Sequence, residues 1–453
     1  MKILLISVNR EKHPYPVQPL GAAYIAGALK AKKHDVKVLD LCFIDNYKAV
    51  LSDCLKEFCP DITGFSIRNI DNTAYPNTKY YLPYIKEVVD FCKENSESRI
   101  IVGGSGFSVM PGAVLRYLGL DTGIVGEGEQ ALCELVDRIE QNDSIRDIEG
   151  VVCLVNHDRF ENDLDEKRVE FDRFLPDRDC LNLGQYMENG SITNVQTKRG
   201  CRFKCSYCTY PLIEGNKIRL RSPEAVVTEV EMLQKKAGVD YFYFIDSVFN
   251  FPVQHAAQIC KEITRRKLKI SWTAFFHPKF ITAELVALLV KAGCSGVELG
   301  FDSASDTMLE NLDKRFTVRD IMTSHSLCKK AGLNTCCYLL LGGPGENRHT
   351  IEETFGVIEE LSPTAVIIQG GIRIYPGTAL ERTAAAEGYE CDDYLVPRFY
   401  ISKELKNDLV NIIREPISRH PNILYEGVNE DIPLETLRKM RELGVKGPLW
   451  ELM

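Results

Sequence analysis

A short unbroken apolar run, KILLISV (2–8), opens a chain in which strand-like and helix-like segments alternate almost throughout. This alternation restricts the fold more than any other feature, because apolar runs of four to eight residues interleaved with 3.6-residue periodicity mark parallel sheets covered by helices. After the loop NREKHPYPVQPLG come a helix, AAYIAGALKAKKH, and a second strand, VKVLDL. DITGFSI and RIIVGGSG read as the third and fourth strands, and TGIVGEGEQALCELVDRI as a fifth turning into a helix. Residues 1–140 are therefore expected to form a doubly wound, Rossmann-like parallel sheet. Such a sheet takes ligands at the carboxyl ends of its strands, here the loops 9–20, 66–72, 103–112 and 126–130.

The rhythm breaks over 141–190, where DIEGVVCLVNHDRFENDLDEKRVEFDRFLPD reads as a small hairpin and a polar connector. A second series then begins: SITNVQT, YFYFID, ISWTAFF, GVELGF, TCCYLLLGG and AVIIQGGIRIYP. Six strands, most followed by helical patterns, predict a partial α/β barrel over 191–387, with its chemistry at the carboxyl ends of the strands. Residues 388–453 read as a small, mostly helical appendage. No internal repeat is visible.

Composition excludes several classes of function. The 55 basic and 64 acidic residues leave a net charge of −9, which speaks against a broad nucleic-acid surface. No segment has the eighteen apolar residues needed to span a bilayer, and MKILLISVN reads as a first strand rather than a signal peptide. The expected setting is the cytoplasm, without membrane or nucleic-acid partners, and the expected state is a monomer. Sixteen cysteines among 453 residues are too sparse for a disulfide scaffold. Cys42, Cys92, Cys294 and Cys336 lie in apolar segments and read as small core residues.

Cys201, Cys205 and Cys208 differ, because KRGCRFKCSYCTY crowds three thiols into eight residues as C-x3-C-x2-C, directly after the first barrel strand. A disulfide would leave one thiol over, and structural zinc would lack its fourth ligand. Three thiolates suit a [4Fe-4S] cluster with one iron left open, and Arg199, Arg202 and Lys204 would offset its negative charge. The spacing, with Tyr207 before the last cysteine, resembles the signature of the radical S-adenosylmethionine (SAM) family over about residues 191–385. That resemblance implies that the open iron chelates SAM. It further implies SAM contacts from Tyr207, from Asp246 and Ser247 in FIDSVFN, and from Glu298, Asp302 and Ser303 in VELGFDSASDTML. Many relatives have Glu where Asp302 stands. Gly342 and Gly343 in LLGGPGENRHTIEET and Arg373 in IRIYPGTAL complete the implied set, Arg373 as a carboxylate partner.

The domain ahead of the barrel resembles the cobalamin-binding domain of the cobalamin-dependent radical SAM family. Its matching segments are PLGAAYIAGAL, GFSIRNIDN, IIVGGSGFSVMP and GIVGEGEQAL. They imply cobalamin contacts from Pro19, Leu20 and Gly21, from Ser66, Arg68 and Asn69, from Gly103, Gly104 and Ser105, and from Gly126, Glu127, Gly128 and Glu129. Dinucleotide and P-loop readings lack their glycine signatures, and the methylthiotransferase reading lacks its N-terminal cysteine triad. His13 is the only histidine of the first loop, but EKHPYP lacks the Asp and Gly of D-x-H-x-x-G, so it is not expected to ligate cobalt. Arg68 is expected near the lower face of cobalamin, or paired with Asp71.

The resemblance implies a C-methyltransferase that carries the methyl group of SAM through methylcobalamin to a carbon of a small-molecule or peptide substrate. Reductive cleavage of a second SAM, fed by a flavodoxin- or ferredoxin-type donor, would supply a 5′-deoxyadenosyl radical. The SIRNIDN loop also resembles the tryptophan C-methyltransferase type, in which the substrate carbon attacks methylcobalamin directly. The alternatives are a cyclase or rearrangement enzyme without net methylation, and a non-catalytic cobalamin sensor. No catalytic acid or base is assigned. Tyr375, His277 and Trp272 stand near strand ends as pocket candidates, with ordinary barrel packing the favoured reading of each.

Overall fold

The computed structural model describes residues 1–155, 158–161, 171–390, 393–426, 428 and 434–453. Its first sheet contains β1 (Lys2–Ser7), β2 (Asp35–Asp40), β3 (Ile62–Ser66), β4 (Arg99–Gly103), β5 (Thr122–Ile124), β6 (Val151–Val155) and β7 (Asp158–Glu161). The order is β2-β1-β3-β4-β5-β6-β7, parallel except at β6 and β7. Alternation along β1 explains the two layers of helices. Ile3 and Leu5 face the helices Leu20–Ala31 and Gly128–Gln141, while Leu4 and Ile6 face Tyr47–Phe58, Leu82–Asn95 and Pro111–Leu118. Strand order reverses between β1 and β3, which places the ligand crevice at the end of β3.

The predicted hairpin is present, yet it pairs onto β5 and carries the sheet beyond residue 140. Its apolar faces account for this. Val151 and Cys153 enter one core and Val152 the other, and the hairpin covers an edge that the three-residue β5 would leave open. The polar connector at 162–170 lies outside the described residues.

The second sheet begins at β8 (Thr193–Val195). β9 (Lys198–Arg199) and β10 (Arg219–Leu220) then form a separate antiparallel clasp that brackets the cysteine loop. β11 (Tyr241–Phe244), β12 (Ser271–Phe276), β13 (Gly296–Asp302), β14 (Asn334–Leu341) and β15 (Ala365–Gly370) continue the sheet. β16 (Ile372–Arg373) pairs with β17 (Phe399–Tyr400), and β18 (Ile423–Tyr425) adds a seventh parallel strand beside β15. The order is β18-β15-β14-β13-β12-β11-β8. The sheet curls strongly, since Tyr243 on β11 reaches Glu298 on β13 across the intervening strand. Outward residues such as Phe242, Trp272, Leu299, Cys337 and Val366 form one large core against the helices.

The C-terminal region is thus less purely helical than expected. Besides the helices Leu409–Arg419 and Leu434–Glu442, it donates β18 and a 3-10 turn, Leu449–Leu452, that closes the amino-terminal end of the barrel. There Trp450 packs against Cys336 and Ala365. Glu451 accepts hydrogen bonds from Tyr241 and, at 2.7 Å, Ser295.

Candidate active site

The cysteine loop starts where β8 and β11 end, and Asp246 fixes that start. Its carboxylate accepts the Thr197 and Lys198 N–H groups at 2.7 and 3.2 Å and the Thr197 hydroxyl. Lys198 Nζ lies 3.7 Å from Asp246 and donates to the carbonyls of Val248, Phe249 and Phe251. Gly200 turns with φ of 89°, where a side chain would lie 2.1 Å from the Lys217 carbonyl. Cys201 N–H bonds the Gly215 carbonyl, and Ser206 N–H bonds the Leu312 carbonyl, each at 3.0 Å. Phe203 stacks on His277 at 4.5 Å. The loop is therefore anchored at both ends and in the middle.

Burial pushes the Cys201 thiol up to about 11 and Cys208 to about 12, with Cys205 adding to both. Uncompensated thiolates are costly here, so this donor set calls for a cationic partner. Among the described residues, no three His, Cys, Asp or Glu side chains converge tightly enough to hold a single ion. Three soft thiols gathered in one loop suit a multi-iron cluster. Beside them lies a polar trio. Lys314 Nζ donates to Asp302 at 2.6 Å and to the Tyr207 hydroxyl at 3.3 Å, and Tyr207 donates to the same Asp302 oxygen. Asp302 sits at a break in the β13–β14 register with φ of 67°, a strained conformation that turns its carboxylate toward Lys314.

Several residues assigned to SAM have other partners. Asp246 is spent on the loop start, as described. Ser303 is fully buried and bonds Thr354 at 3.0 Å, capping the next turn. The Gly342 and Gly343 N–H groups both donate to Glu346 within their own turn, so they are not open to a ligand. Arg373 pairs with Asp71 at 3.2 Å and donates to the Ile374 and Tyr394 carbonyls, tying the two domains together. That pair also occupies the acid offered as a partner for Arg68. Ser247 is different: its Oγ is buried and finds no hydrogen-bond partner among the described residues.

Glu298 lies inside the barrel, 1% exposed, accepting from Tyr243 at 2.7 Å and from Trp450 at 3.1 Å. Burial raises its carboxyl to about 7, against hydrogen bonds from Tyr243, Tyr338 and Trp450. Toward the carboxyl ends the inward side chains Tyr243, Phe275, Tyr338, Ile367 and Gln369 remain partly accessible, while their outward neighbours are sealed. They line an aromatic lumen. Trp272 belongs to the outer core instead, with Nε1 bonded to the Ala292 carbonyl, and His277 is packed neutral under the cysteine loop. Tyr375 lies under the Arg373 guanidinium at 4.9 Å.

On the first domain, the loops after β3 and β4 interlock. A side chain at Gly104 would lie 2.5 Å from the Ile67 carbonyl, and Ser105 Oγ bonds the Arg68 carbonyl at 2.8 Å. The Arg68 guanidinium is solvent-accessible and has no ion pair among the described residues. Surrounding protein depresses its ordinarily high pKa, with Tyr210 and Tyr15 nearby opposing that shift, so it lines a cleft rather than an open surface. Ser66 and Asn69 are partly exposed beside it, and Gly21 faces open space.

Glu127 and Glu129 are held by arginines of the second domain. Arg199 bonds Glu129 at 2.6 Å and Glu127 at 3.3 Å, while Arg219 also grips Glu127. Arg199 is therefore neutralised rather than reserved for a cluster. Leu20 is buried with Tyr24 and Phe171, and Arg199 lies over the rings of Tyr24 and Phe171 at 4.8 and 4.2 Å. Gly126 N–H is held by Ser108 Oγ, and Gly128 allows close packing on Ile25.

Residues 6–136 match the family described as B12 binding domain, and residues 195–358 match the Radical SAM superfamily. The chain belongs to the cobalamin-dependent radical SAM enzymes. It is 26% identical to the tryptophan 2-C-methyltransferase of Streptomyces laurentii, over 86% of this chain and 75% of that one. It is 28% identical to an uncharacterised methyltransferase of Pyrococcus horikoshii, over 85% and 83%. The structure superposes on the radical SAM methyltransferase TsrM of Kitasatospora setae, solved with tryptophan and a SAM analogue. The TM-score is 0.87 at 25% identity, covering 99% of this chain and 96% of that one.

For a cobalamin-dependent radical SAM enzyme, the chain offers a coherent set of groups. The Arg68–Asn69 and Gly103–Ser105 loops offer a cradle for a corrin, the three thiols suit a cluster, and the orphaned Ser247 hydroxyl suits a polar ligand beside it. Lys314, Tyr15 and Trp450 escaped sequence reasoning. NLDKRFT carries no motif around Lys314, and Tyr15 and Trp450 reach the site from a loop and a terminal turn. Period-two alternation could have marked Tyr243 and Tyr338 as inward, since both sit in step with Glu298 across the ladders.

Proposed function

We propose that this enzyme methylates a carbon of an aromatic small molecule or aromatic residue, with SAM as the methyl source. Its cofactors are a [4Fe-4S] cluster on Cys201, Cys205 and Cys208, SAM beside it, and cobalamin on the first domain. When bound, they supply methyl transfer and one-electron chemistry, and the protein supplies placement. One observation carries the reading: the cysteine loop and the ligand-bearing loops of the first domain are locked together. Arg199, two residues before Cys201, is held by Glu127 and Glu129, and the helix Tyr210–Ile213 meets Ser105–Ser108. Both reagents are thereby presented to one cleft, which is what intramolecular delivery requires.

The lumen supports the substrate class. Tyr243, Phe275 and Tyr338 offer ring faces, with Phe275 and Tyr338 centred 4.9 Å apart. A relative acts on tryptophan, as its name states. No described helix is long and apolar enough to cross a membrane. A monomer in the cytoplasm, fed by an external flavodoxin- or ferredoxin-type donor, completes the proposal.

The test is anaerobic turnover of reconstituted enzyme with methyl-deuterated SAM and a panel of indoles and aromatic peptides. A trideuteromethylated product with matching S-adenosylhomocysteine supports methylation. Accompanying 5′-deoxyadenosine indicates the radical route, and its absence direct attack on methylcobalamin. Deoxyadenosine without S-adenosylhomocysteine points to a cyclase or rearrangement, and neither product to a sensor.

A further inference from the structure

Among the described residues, Lys314 is paired with a single carboxylate, Asp302, whereas the other cations named beside the three thiols are doubly paired or exposed. Arg199 is consumed by Glu127 and Glu129, and Arg202 and Lys204 point to solvent, where screening weakens them. Lys314 is buried, and its Nζ reaches into the cysteine loop, donating to the Tyr207 hydroxyl at 3.3 Å. Its placement is built from both sides. The Ser206–Leu312 backbone bond straps the cysteine loop to the segment carrying Lys314, and Phe316 packs edge-on against the His277 that supports Phe203. The Tyr207 ring, between Cys205 and Cys208 in the chain, lies 5.7 Å from Lys314 Nζ. Asp302 holds the ammonium at 2.6 Å and accepts from Tyr207 at the same oxygen, so the pair has its cationic and anionic ends fixed beside the loop.

We propose that Lys314 is a positioning residue that acts as the buried counter-charge of the cluster, held in place by Asp302 and Tyr207 and setting how readily the cluster accepts an electron. A fixed positive charge stabilises the more negative, reduced form, and a fixed negative charge opposes it. The pair therefore has two ends with opposite effects on the same property. Mere packing would not produce opposite signs.

The inference rests on the three cysteines holding a cluster, and iron and sulfide analysis of the wild type tests that reading separately. The experiment is a potentiometric titration of anaerobic holoenzyme with dithionite as the one-electron donor, followed by the paramagnetic resonance of the reduced cluster. At fixed poise, Lys314→Met is expected to lower the reduced-to-oxidised ratio about tenfold, or about 59 mV downward for one electron. Asp302→Asn, which tolerates the left-handed backbone, is expected to move it upward, and Lys314→Arg to stay within about twofold of wild type. Shifts of the same sign in Lys314→Met and Asp302→Asn, or no shift in either, would overturn the proposal. If Lys314→Met loses its iron, the other two variants decide. An upward shift in Asp302→Asn with an unchanged Lys314→Arg supports it, and any other pattern refutes it.

Discussion

Trp450 Nε1 donates a 3.1 Å hydrogen bond to Glu298 Oε1, 152 residues away in sequence, so the terminal 3-10 turn reaches into the barrel floor. The indole also fills the space above Gly296, where a side chain would lie 2.5 Å from its ring. Glu298 is thereby held by Tyr243 from one side and Trp450 from another. The turn is a plug that keeps water from the amino-terminal end of the lumen.

Removing the plug's anchor should be costly. Trp450→Ala is expected to lose about 3–5 kcal/mol in denaturant unfolding. Trp450→Phe, which keeps much of the volume but leaves Glu298 one donor short, should lose about 1–3 kcal/mol. A Trp450→Ala protein within about 1 kcal/mol of wild type would mean that the plug contributes little.

Glu298 should also give the protein a pH signature. Burial raises its carboxyl from 4.5 to about 7. Between those values the folded protein keeps a proton that the unfolded chain releases, so this group's contribution to stability falls as pH rises through the window. Glu298→Gln removes the titration and should leave the variant relatively more stable at pH 8 than at pH 5, by on the order of 3 kcal/mol. Glu346, also raised to about 7, is present in both proteins and cancels. Stability profiles that run parallel across this range would contradict the assignment.

What could be read in the sequence was local. The C-x3-C-x2-C spacing and the two runs of strands lie within short windows, and both recur in the structure. Asp246 shows where the limit falls. Its position at a strand end was legible, yet its use was not, because the Thr197 and Lys198 groups it binds lie 49 and 48 residues earlier. Glu127 and Glu129 followed a recognisable loop but answer to Arg199, some 70 residues on. β18 is three residues long, too short for alternation to register. Side-chain roles set by long-range pairing need the fold.

The clamp between domains gives a third prediction. Glu129 is 5% exposed, and Arg199→Met would leave it buried without a counter-ion. Breaking such a pair costs about 3–5 kcal/mol, less whatever the domains recover by shifting apart. Cobalamin and iron contents should stay near wild type, while methyl transfer drops about a hundredfold because the two reagents lose alignment. Small-angle scattering should report a longer molecule. Unchanged turnover with an unchanged scattering profile would remove the clamp from the mechanism.

Asp246 and Ser247 are adjacent, yet they should fail in different ways. Asp246 accepts both Thr197 and Lys198 N–H groups and the Thr197 hydroxyl, so it shapes the entry to the cysteine loop. Asp246→Ala strands those donors and the buried Lys198 ammonium, which burial already pulls down to about 8. The expected result is loss of bound iron and sulfide, with cobalamin binding intact. Ser247 supports none of the loop; its hydroxyl has no partner among the described residues. Ser247→Ala should therefore keep full iron content and weaken SAM binding by the worth of one hydrogen bond, about 0.5–1.5 kcal/mol or two- to tenfold. Iron analysis and equilibrium binding of SAM to the two variants separate the roles. Iron loss in Ser247→Ala, or weakened SAM binding with full iron in Asp246→Ala, would exchange the two assignments.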